Sequence, residues 1–338
     1  MGAGGEAGGR EARLKRRALL AGLCALAVAG AADAQRPAGL AKIGVITLGV
    51  AASSPYLQAF RQGLREHGYV EGRNIALEYR FAEGHSDRLP RMAAELVRLK
   101  VNVIITESAP ALSAASQATK TIPIVMAIGA NPVKLGLAAS LARPGGNVTG
   151  LTLAGAARTA KQLQLLKESV PRTSSVAVIY NPMRPDIDDE LNDATQTARA
   201  LGLTLRFFIV RTPHDFDTTF EAVAAARPSA VITIGHGMLL GNSKGIAEFA
   251  LKARLPAVFP EREFADAGGL MAYGPDIGAS FHRAASFVDK ILKGAKPGDL
   301  PIEQPTKWGL VVNLRTAKTL GLKIPGTVLA RADELIQL

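Results

Sequence analysis

Hydroxyl, amide and carboxyl side chains follow most of the predicted strands of this chain, where they could hydrogen-bond a small polar ligand. In open parallel sheets, ligands bind beyond the carboxyl ends of the strands, where helix N-termini present free N–H groups. Helix capping is the alternative role for any single one, clearest at Ser54 and Asn131, because each precedes a proline that can start a helix. The predicted ligand-binding residues are Ser53, Ser54, Glu107, Ser108, Gly129, Asn131, Asn181, His236 and Tyr273.

Enzyme signatures are missing from the sequence. The chain has no Walker P-loop, no nucleophile elbow and no His-Glu-x-x-His motif, and its five histidines lack the spacing of metal ligands. Cys24 is the only cysteine and belongs to a predicted leader, so the mature chain has no thiol nucleophile and no disulfide. We therefore expect no catalytic residue, no metal and no cofactor, and a triad assembled from distant residues stays open as the alternative.

The glycines of residues 235–241 resemble a dinucleotide-binding loop, because they follow a predicted strand. That fingerprint normally opens the first βαβ unit, and an acidic residue ends the next strand. Here the loop closes the third strand of a second block, and the next predicted strand is followed by Pro260. The sequence therefore predicts a flexible loop without a nucleotide.

Alternating strands and helices must position these loops. Residues 42–48 form a near-continuous apolar run, typical of a parallel strand covered on both faces. The alternation continues to residue 153 and restarts after Gly155, which predicts an α/β fold of two doubly wound parallel-sheet lobes joined by hinge crossings. The predicted lobes are residues 35–154 together with 277–338, and residues 155–276.

The first 34 residues have the pattern of a cleavable export leader. A basic start precedes an apolar stretch at 18–32 that is too short to span a bilayer, and small residues allow cleavage after Ala34. A Sec leader is favoured, and Arg16-Arg17 leaves a twin-arginine signal as the alternative. Leu23 before Cys24 argues against a lipid anchor, so we expect a free periplasmic protein.

The formal net charge of +11 raises the question of a nucleic-acid partner. Basic residues are interleaved with acidic ones along predicted helices, and aromatic residues make up only 5% of the chain, too few for a base-stacking platform. We interpret the charge as a solvated surface and expect no nucleic-acid partner.

Several stretches match the pattern of a known family. They are Tyr-Val-Glu-Gly-Arg-Asn-Ile at 69–75, Asn-Pro-Val at 131–133, Arg-Pro-Gly-Gly-Asn-Val-Thr-Gly at 143–150, Ile-Tyr-Asn-Pro at 179–182, and a set running from Ile-Leu-Lys-Gly at 291–294 to Arg-Ala-Asp-Glu at 331–334. In these stretches the chain resembles the solute-binding proteins of ABC importers, which include tryptophan- and tyrosine-type binders. The resemblance covers nearly the whole mature chain. It implies a type I periplasmic-binding fold, a ligand between two lobes, and docking on a membrane permease.

Two departures from the family pattern bear on the ligand. Residues 54–58 read Ser-Pro-Tyr-Leu-Gln where aromatic-amino-acid members tend to carry His-Pro-x-Leu-Asp, and Asn131 stands where members often have Asp. Both departures remove carboxylate partners for an ammonium group, for which Glu107 could substitute. They favour a carboxylate or other anionic ligand, and the choice between amino acid and organic acid stays open.

We expect a monomeric solute-binding protein that delivers a small polar organic solute to an ABC importer by hinge closure. Ser54 and Ser108 would hold an anionic end of the ligand, and Asn181, His236 and Tyr273 would complete the site from the other lobe. A ligand-sensing module that addresses a membrane receptor is one alternative, and an exported α/β enzyme is the other.

Overall fold

The computed structural model describes residues 40–49, 53–153, 158–183 and 187–337. Lys42–Leu338 forms one compact unit, which contains both sheets except Ala41 at the start of β1. The predicted leader at residues 1–34 and the predicted crossing at Gly155 lie outside the described residues.

The first lobe is built on a sheet with the strand order β2-β1-β3-β4-β5. Its elements are β1 (Ala41–Thr47), α1 (Pro55–Glu66), β2 (Ile75–Phe81), α2 (Leu89–Arg98), β3 (Val103–Thr106), α3 (Ala109–Ala118), β4 (Ile124–Met126) and β5 (Val148–Gly150). The pairs β1–β3, β3–β4 and β4–β5 are parallel. Ile43, Val45 and Ile46 of β1 are fully buried, as expected of a strand covered on both faces.

The second lobe is built on a sheet with the strand order β12-β11-β10-β9-β8-β6-β7. Its strands are β6 (Ser175–Tyr180), β7 (Thr204–Ile209), β8 (Ala230–Thr233), β9 (Ala257–Phe259), β10 (Met271–Pro275), β11 (Trp308–Asn313) and β12 (Glu334–Ile336). The helices after residue 157 are α4 (Arg158–Ser169), α5 (Ile187–Ala200), α6 (Phe216–Ala226), α7 (Gly237–Gly241), α8 (Ser243–Lys252), α9 (Arg262–Asp266), α10 (Ile277–Leu292), α11 (Leu314–Leu320) and α12 (Gly326–Leu329). Its pairs are parallel except β10–β11, which is antiparallel. The predicted fold class, two parallel-sheet α/β lobes, is confirmed.

The C-terminal segment divides between the lobes. Helix α10 packs against α1 of the first lobe: the rings of Tyr56 and Phe281 stack with centroids 5.6 Å apart. A Cβ at Gly63 would lie 2.6 Å from the His282 carbonyl oxygen, so the two helices approach this closely only because residue 63 is glycine. By contrast, β11 and β12 pair within the second sheet.

The prediction that residues 277–338 belong to the first lobe is therefore wrong for β11 and β12. Leu310, Val311 and Val312 form an apolar strand that fits any sheet with an open edge, and β10 provides one. Apolar alternation identifies a strand without identifying its neighbour. The remaining lobe bounds stay a prediction.

Two local predictions also differ from the structure. Residues 131–140 form turns instead of the helix expected after Asn131-Pro132, because Gly136 adopts a φ of 67° and ends the first turn. Residues 237–241 form α7 instead of the predicted flexible loop. The His236 ring caps this helix: its Nδ1 accepts a hydrogen bond from the Met238 N–H at 3.2 Å.

Candidate functional site

A cavity of about 810 Å3, counted with its open mouth, lies between the two lobes. Residues that follow β3 and β4 line it from the first lobe, and residues that follow β8 and β9 line it from the second. This is the carboxyl edge of both sheets, where open α/β folds bind ligands. Its apolar lining residues are Ala109, Ile128, Ala130, Leu153, Leu240, Ile277 and Phe281.

Four of the predicted site residues line this cavity: Glu107, Ser108, Gly129 and His236. Ser108 is buried and caps α3, because its Oγ accepts a hydrogen bond from the Ala111 N–H at 3.3 Å. His236 is held in the same way at the start of α7, which leaves the proton of the neutral ring on Nε2. These two side chains therefore have a capping role as well as a place in the cavity wall.

The structure does not bring the other five predicted residues to the cavity wall. Ser53 is exposed, and Ser54 caps α1 by accepting a hydrogen bond from the Tyr56 N–H at 3.2 Å. Asn131 likewise caps its own turn: its Oδ1 accepts hydrogen bonds from the N–H groups of Val133 and Lys134. For Ser54 and Asn131, the observed role is therefore capping, which the sequence had left open as the alternative to ligand binding.

Asn181 and Tyr273 have structural partners within the second lobe. The Asn181 side chain is buried, donates to the Val210 carbonyl oxygen at 2.8 Å and accepts from the Met183 N–H at 2.8 Å. The Tyr273 ring stacks on Trp308 with centroids 5.8 Å apart. Burial and the nearby Asp333 carboxylate raise the pKa of Tyr273. Both side chains hold strands and loops together.

Glu107 provides a buried carboxyl group on the first-lobe wall. Its Oε1 accepts hydrogen bonds from the N–H groups of Leu48 and Gly49 at the end of β1. Burial raises the pKa of Glu107 to about 7, against the opposing effect of these two hydrogen bonds. Its Oε2 lies 3.4 Å from the position that a Cβ would take at Gly237 of the second lobe, so this oxygen faces the opposite wall. Glu107 can therefore gain or lose a proton close to neutral pH.

The second-lobe wall carries a charged cluster of Arg158, Glu190 and Glu261, which we call the arginine cluster. Arg158 Nη2 lies 3.7 Å from Glu190 Oε1, and Arg158 Nη1 lies 3.9 Å from Glu261 Oε1. The exposed fractions of the three side chains are 5%, 15% and 8%. A guanidinium that is buried this deeply requires such partners, because an isolated buried charge is very unfavourable.

Sequence reasoning missed the arginine cluster. It favoured loops rich in hydroxyl, amide and glycine residues, whereas Arg158 and Glu190 lie at the N-terminal ends of α4 and α5 and Glu261 follows β9. The available signal was positional: a charged residue just after a predicted strand or at the start of the next helix faces the carboxyl edge of the sheet. A search for titratable residues at these positions would have found Glu190 and Glu261.

The two lobes are in direct contact at several points. A Cβ at Gly49 would lie 1.7 Å from the Gly237 carbonyl oxygen, so the main chains of the two lobes touch there. The rings of His85 and His214 meet edge to face with centroids 6.4 Å apart. Lys134 of the first lobe and Asp189 of the second form a salt bridge. Together, these contacts define a closed arrangement of the lobes.

The described part of the chain lacks two kinds of feature. No group of three or more His, Cys, Asp or Glu side chains in this part of the chain could hold a metal ion. Among the described helices, none combines the length and the apolar character needed to cross a membrane.

Comparisons with known proteins place this geometry in context. A crystal structure described as a conserved domain protein from Vibrio cholerae superposes with a TM-score of 0.80 at 28% identity and covers 88% of this chain and 99% of its own. A structure from Streptococcus pneumonia, described as an ABC domain in complex with L-Trp, also gives a TM-score of 0.80, at 24% identity, with coverage of 88% and 99%. These likenesses agree with the predicted type I periplasmic-binding fold.

A curated relative and a family model extend the comparison to sequence. The tyrosine-binding protein of Clostridioides difficile is 24% identical over 266 residues, which are 79% of this chain and 76% of that protein. The model of the ABC transporter substrate binding proteins matches residues 43–336, which include both sheets and the whole cavity wall. The chain therefore belongs to the family of ABC transporter substrate binding proteins.

Proposed function

We propose that this protein binds an amino acid between its two lobes and presents it to an ABC importer. The observation that carries the proposal is the cavity between the lobes, which has charged groups on both walls and apolar side chains between them. Membership of the substrate-binding family supports a binding role. The names of two relatives, a tyrosine-binding protein and a domain in complex with L-Trp, favour amino acids over other solutes.

The charges of the cavity favour a ligand that carries an ammonium group. Among the described residues that line the cavity, Glu107, Glu190 and Glu261 supply three carboxyl groups and Arg158 supplies one guanidinium. A purely anionic solute would add a negative charge to a wall in which acids already outnumber bases. This argument replaces the expectation of an anionic ligand, which relied on missing carboxylates at residues 54–58 and at Asn131, positions outside the cavity wall. An ammonium group beside Glu107 is the better match.

Hinge closure would couple ligand binding to recognition by the importer. A ligand that contacts Glu107 on one wall and Arg158 on the other makes its full set of contacts only when the lobes are closed. It therefore shifts the population towards the closed arrangement. The main-chain contact between Gly49 and Gly237 supports this model, because separating the lobes would break it.

We further propose that the protein acts outside the cytoplasmic membrane, after removal of residues 1–34, with a membrane permease as its partner. The basic and apolar pattern of those residues supports export. Membership of the substrate-binding family supports the importer as the partner. Both points are tested by measuring uptake of a radiolabelled amino acid in cells that lack this gene. These cells are compared with cells that carry the full-length gene or a copy without residues 1–34.

The binding proposal is tested by thermal-shift and calorimetric titration of the purified mature chain with the twenty proteinogenic amino acids. Benzoate, as a plain carboxylate, and tyramine, as a plain amine, serve as comparison ligands. A ligand at 100 times its Kd should stabilise the protein by about 2.7 kcal/mol. We expect at least one amino acid to bind more tightly than benzoate. Binding of benzoate alone, or of no amino acid, would overturn the proposal.

A further inference from the structure

Arg158 is a buried cation on the second-lobe wall of the cavity. Its side chain is 5% exposed, and its two carboxylate neighbours lie 3.7 and 3.9 Å away. Both separations exceed the length of a hydrogen bond, which is about 2.7–3.2 Å for N–H···O. Glu190 and Glu261 therefore more than offset the charge of the guanidinium. Both lie farther from it than a hydrogen bond would place them.

The hydrogen-bonding capacity of this guanidinium is incompletely used. The Nε of Arg158 is buried and has no hydrogen-bond partner within the part of the chain that the structure describes. Leaving a buried donor unsatisfied is unfavourable, and planar guanidinium groups bind carboxylates through pairs of N–H groups. A buried, incompletely bonded arginine in a cavity wall is therefore suited to receive a carboxylate from a ligand.

Gly235 makes room for the guanidinium. A Cβ at this position would lie 2.6 Å from Arg158 Nη2, 2.8 Å from Nη1 and 2.9 Å from Cζ. The planar group therefore lies directly against the main chain at the end of β8, and any larger residue would push it away. This close approach fixes the guanidinium at the wall that Gly235 and His236 form.

We propose that Arg158 binds the carboxylate of the ligand, with Glu190 and Glu261 holding the guanidinium and Gly235 positioning it. The inference rests on the proposed function and deepens it by identifying the residue that recognises the acid end of the amino acid. Because two carboxylates already lie beside Arg158, a third anion without a cation of its own is unfavourable there. The ligand must bring its own positive charge, so the site selects a zwitterion.

The test compares each amino acid with the amine that lacks only its carboxylate. The pairs are L-tyrosine with tyramine, L-tryptophan with tryptamine, and L-leucine with 3-methylbutylamine, titrated calorimetrically into the mature chain. We expect R158Q to weaken binding of the amino acid by about tenfold to hundredfold, as for the loss of a charged hydrogen bond. Binding of the matching amine should change by less than about twofold.

In R158Q, two buried carboxylates lose their cation, which can destabilise the fold. A second variant therefore tests the same role without removing a charge. G235A keeps every charge and displaces only the end of a side chain, so it should lower the apo melting temperature less than R158Q does. We expect it to produce the same selective loss for the amino acid. R172Q, an exposed arginine in the same lobe, and G326A, where a Cβ has open space, are the matched controls.

The outcomes separate the two proposals. Equal losses for the amino acid and the amine in R158Q and G235A, or no loss for either, would overturn the role of Arg158 while the binding proposal stands. Failure of the wild-type protein to bind any amino acid would overturn both. A selective loss in both variants, absent from R172Q and G326A, supports the role of Arg158.

Discussion

The two walls of the cavity hold their charged groups in different ways. On the first-lobe wall, Glu107 is held by main-chain N–H groups and forms no ion pair with any described residue. On the second-lobe wall, Arg158 lies between two carboxylates and against the main chain of Gly235. The charge of Glu107 therefore depends on pH, whereas the charge of Arg158 is more than offset by the two carboxylates beside it. Ligand binding at the first-lobe wall should therefore depend on the protonation of Glu107. Binding at the second-lobe wall should depend on how Arg158 packs against Gly235.

This difference matters only if both walls contact the ligand at once, which requires closed lobes. Replacing Gly49 by alanine should have the largest effect on binding, because the new Cβ would lie 1.7 Å from the Gly237 carbonyl oxygen and 2.3 Å from its carbon. Main-chain atoms cannot move aside as a side chain can, so the lobes must separate. If the closed population falls about a hundredfold, the apparent affinity falls by the same factor.

Calorimetry and small-angle X-ray scattering of G49A measure this effect. The wild-type protein should contract when L-tyrosine or another bound amino acid is added, and G49A should not. The apo melting temperature should stay close to the wild-type value, because opening of the lobes relieves the clash. G326A, a glycine-to-alanine change in open space, is the control. Unchanged affinity and contraction in G49A would contradict hinge closure at this contact.

Glu107 provides the next largest effect and tests the pH sensitivity of the first wall. Because burial raises the pKa of Glu107 to about 7, its carboxyl group is mostly ionised at pH 8 and mostly protonated at pH 6. The affinity for a ligand with an ammonium group should therefore fall about tenfold between pH 8 and pH 6. The variant E107Q should bind more weakly at pH 8 and lose this pH dependence.

Stability should change in the opposite direction. The folded pKa of Glu107, about 7, lies above the ordinary value of 4.5, so the folded state holds the proton more tightly than the unfolded state. The stability of the apo protein should therefore fall as pH rises from about 4.5 to 7, by about 1–3 kcal/mol. E107Q should remove this loss and raise the melting temperature at pH 8. Loss of both stability and affinity at pH 8 would contradict an unfavourable buried charge.

The sequence predicted the elements well where local patterns determine them. Strand β1 (Ala41–Thr47) lies within one residue of the predicted run at 42–48, because a short continuous apolar run is a strong local signal for a buried strand. The helix expected after Asn131-Pro132 did not form, since Gly136 ends it after one turn. The sheet to which β11 belongs depends on an open strand edge elsewhere in the fold, which no local pattern encodes.

The candidate site was harder to predict, because capping and ligand binding use the same residue types. Ser54 and Asn131 follow strands in sequence, but their side-chain oxygens accept hydrogen bonds from their own turns. Arg158 depends on tertiary packing against Gly235, which lies in another part of the chain. Sequence position thus identified the correct edge of the sheets, and the three-dimensional packing selects the side chains that line the cavity.

Replacement of Asn181 should have the smallest effect on binding. It distinguishes residues that support the second-lobe wall from the arginine cluster, which we propose contacts the ligand. Its buried amide donates to the Val210 carbonyl oxygen and accepts from the Met183 N–H. The variant N181A would leave these main-chain groups without a partner and should lower the free energy of unfolding by about 2 kcal/mol. Affinity for the amino acid should change by less than about twofold, because the side chain does not line the cavity.

Chemical denaturation and calorimetry of N181A measure the two quantities, with N131A as the matched control. Asn131 is only partly buried and caps a turn of the first lobe, so its replacement should cost less, about 1 kcal/mol, and leave affinity unchanged. A large loss of affinity in N181A at unchanged stability would return Asn181 to the ligand site. It would also mean that the second wall binds the ligand through neutral amides, so that the arginine cluster could not be its main recognition element.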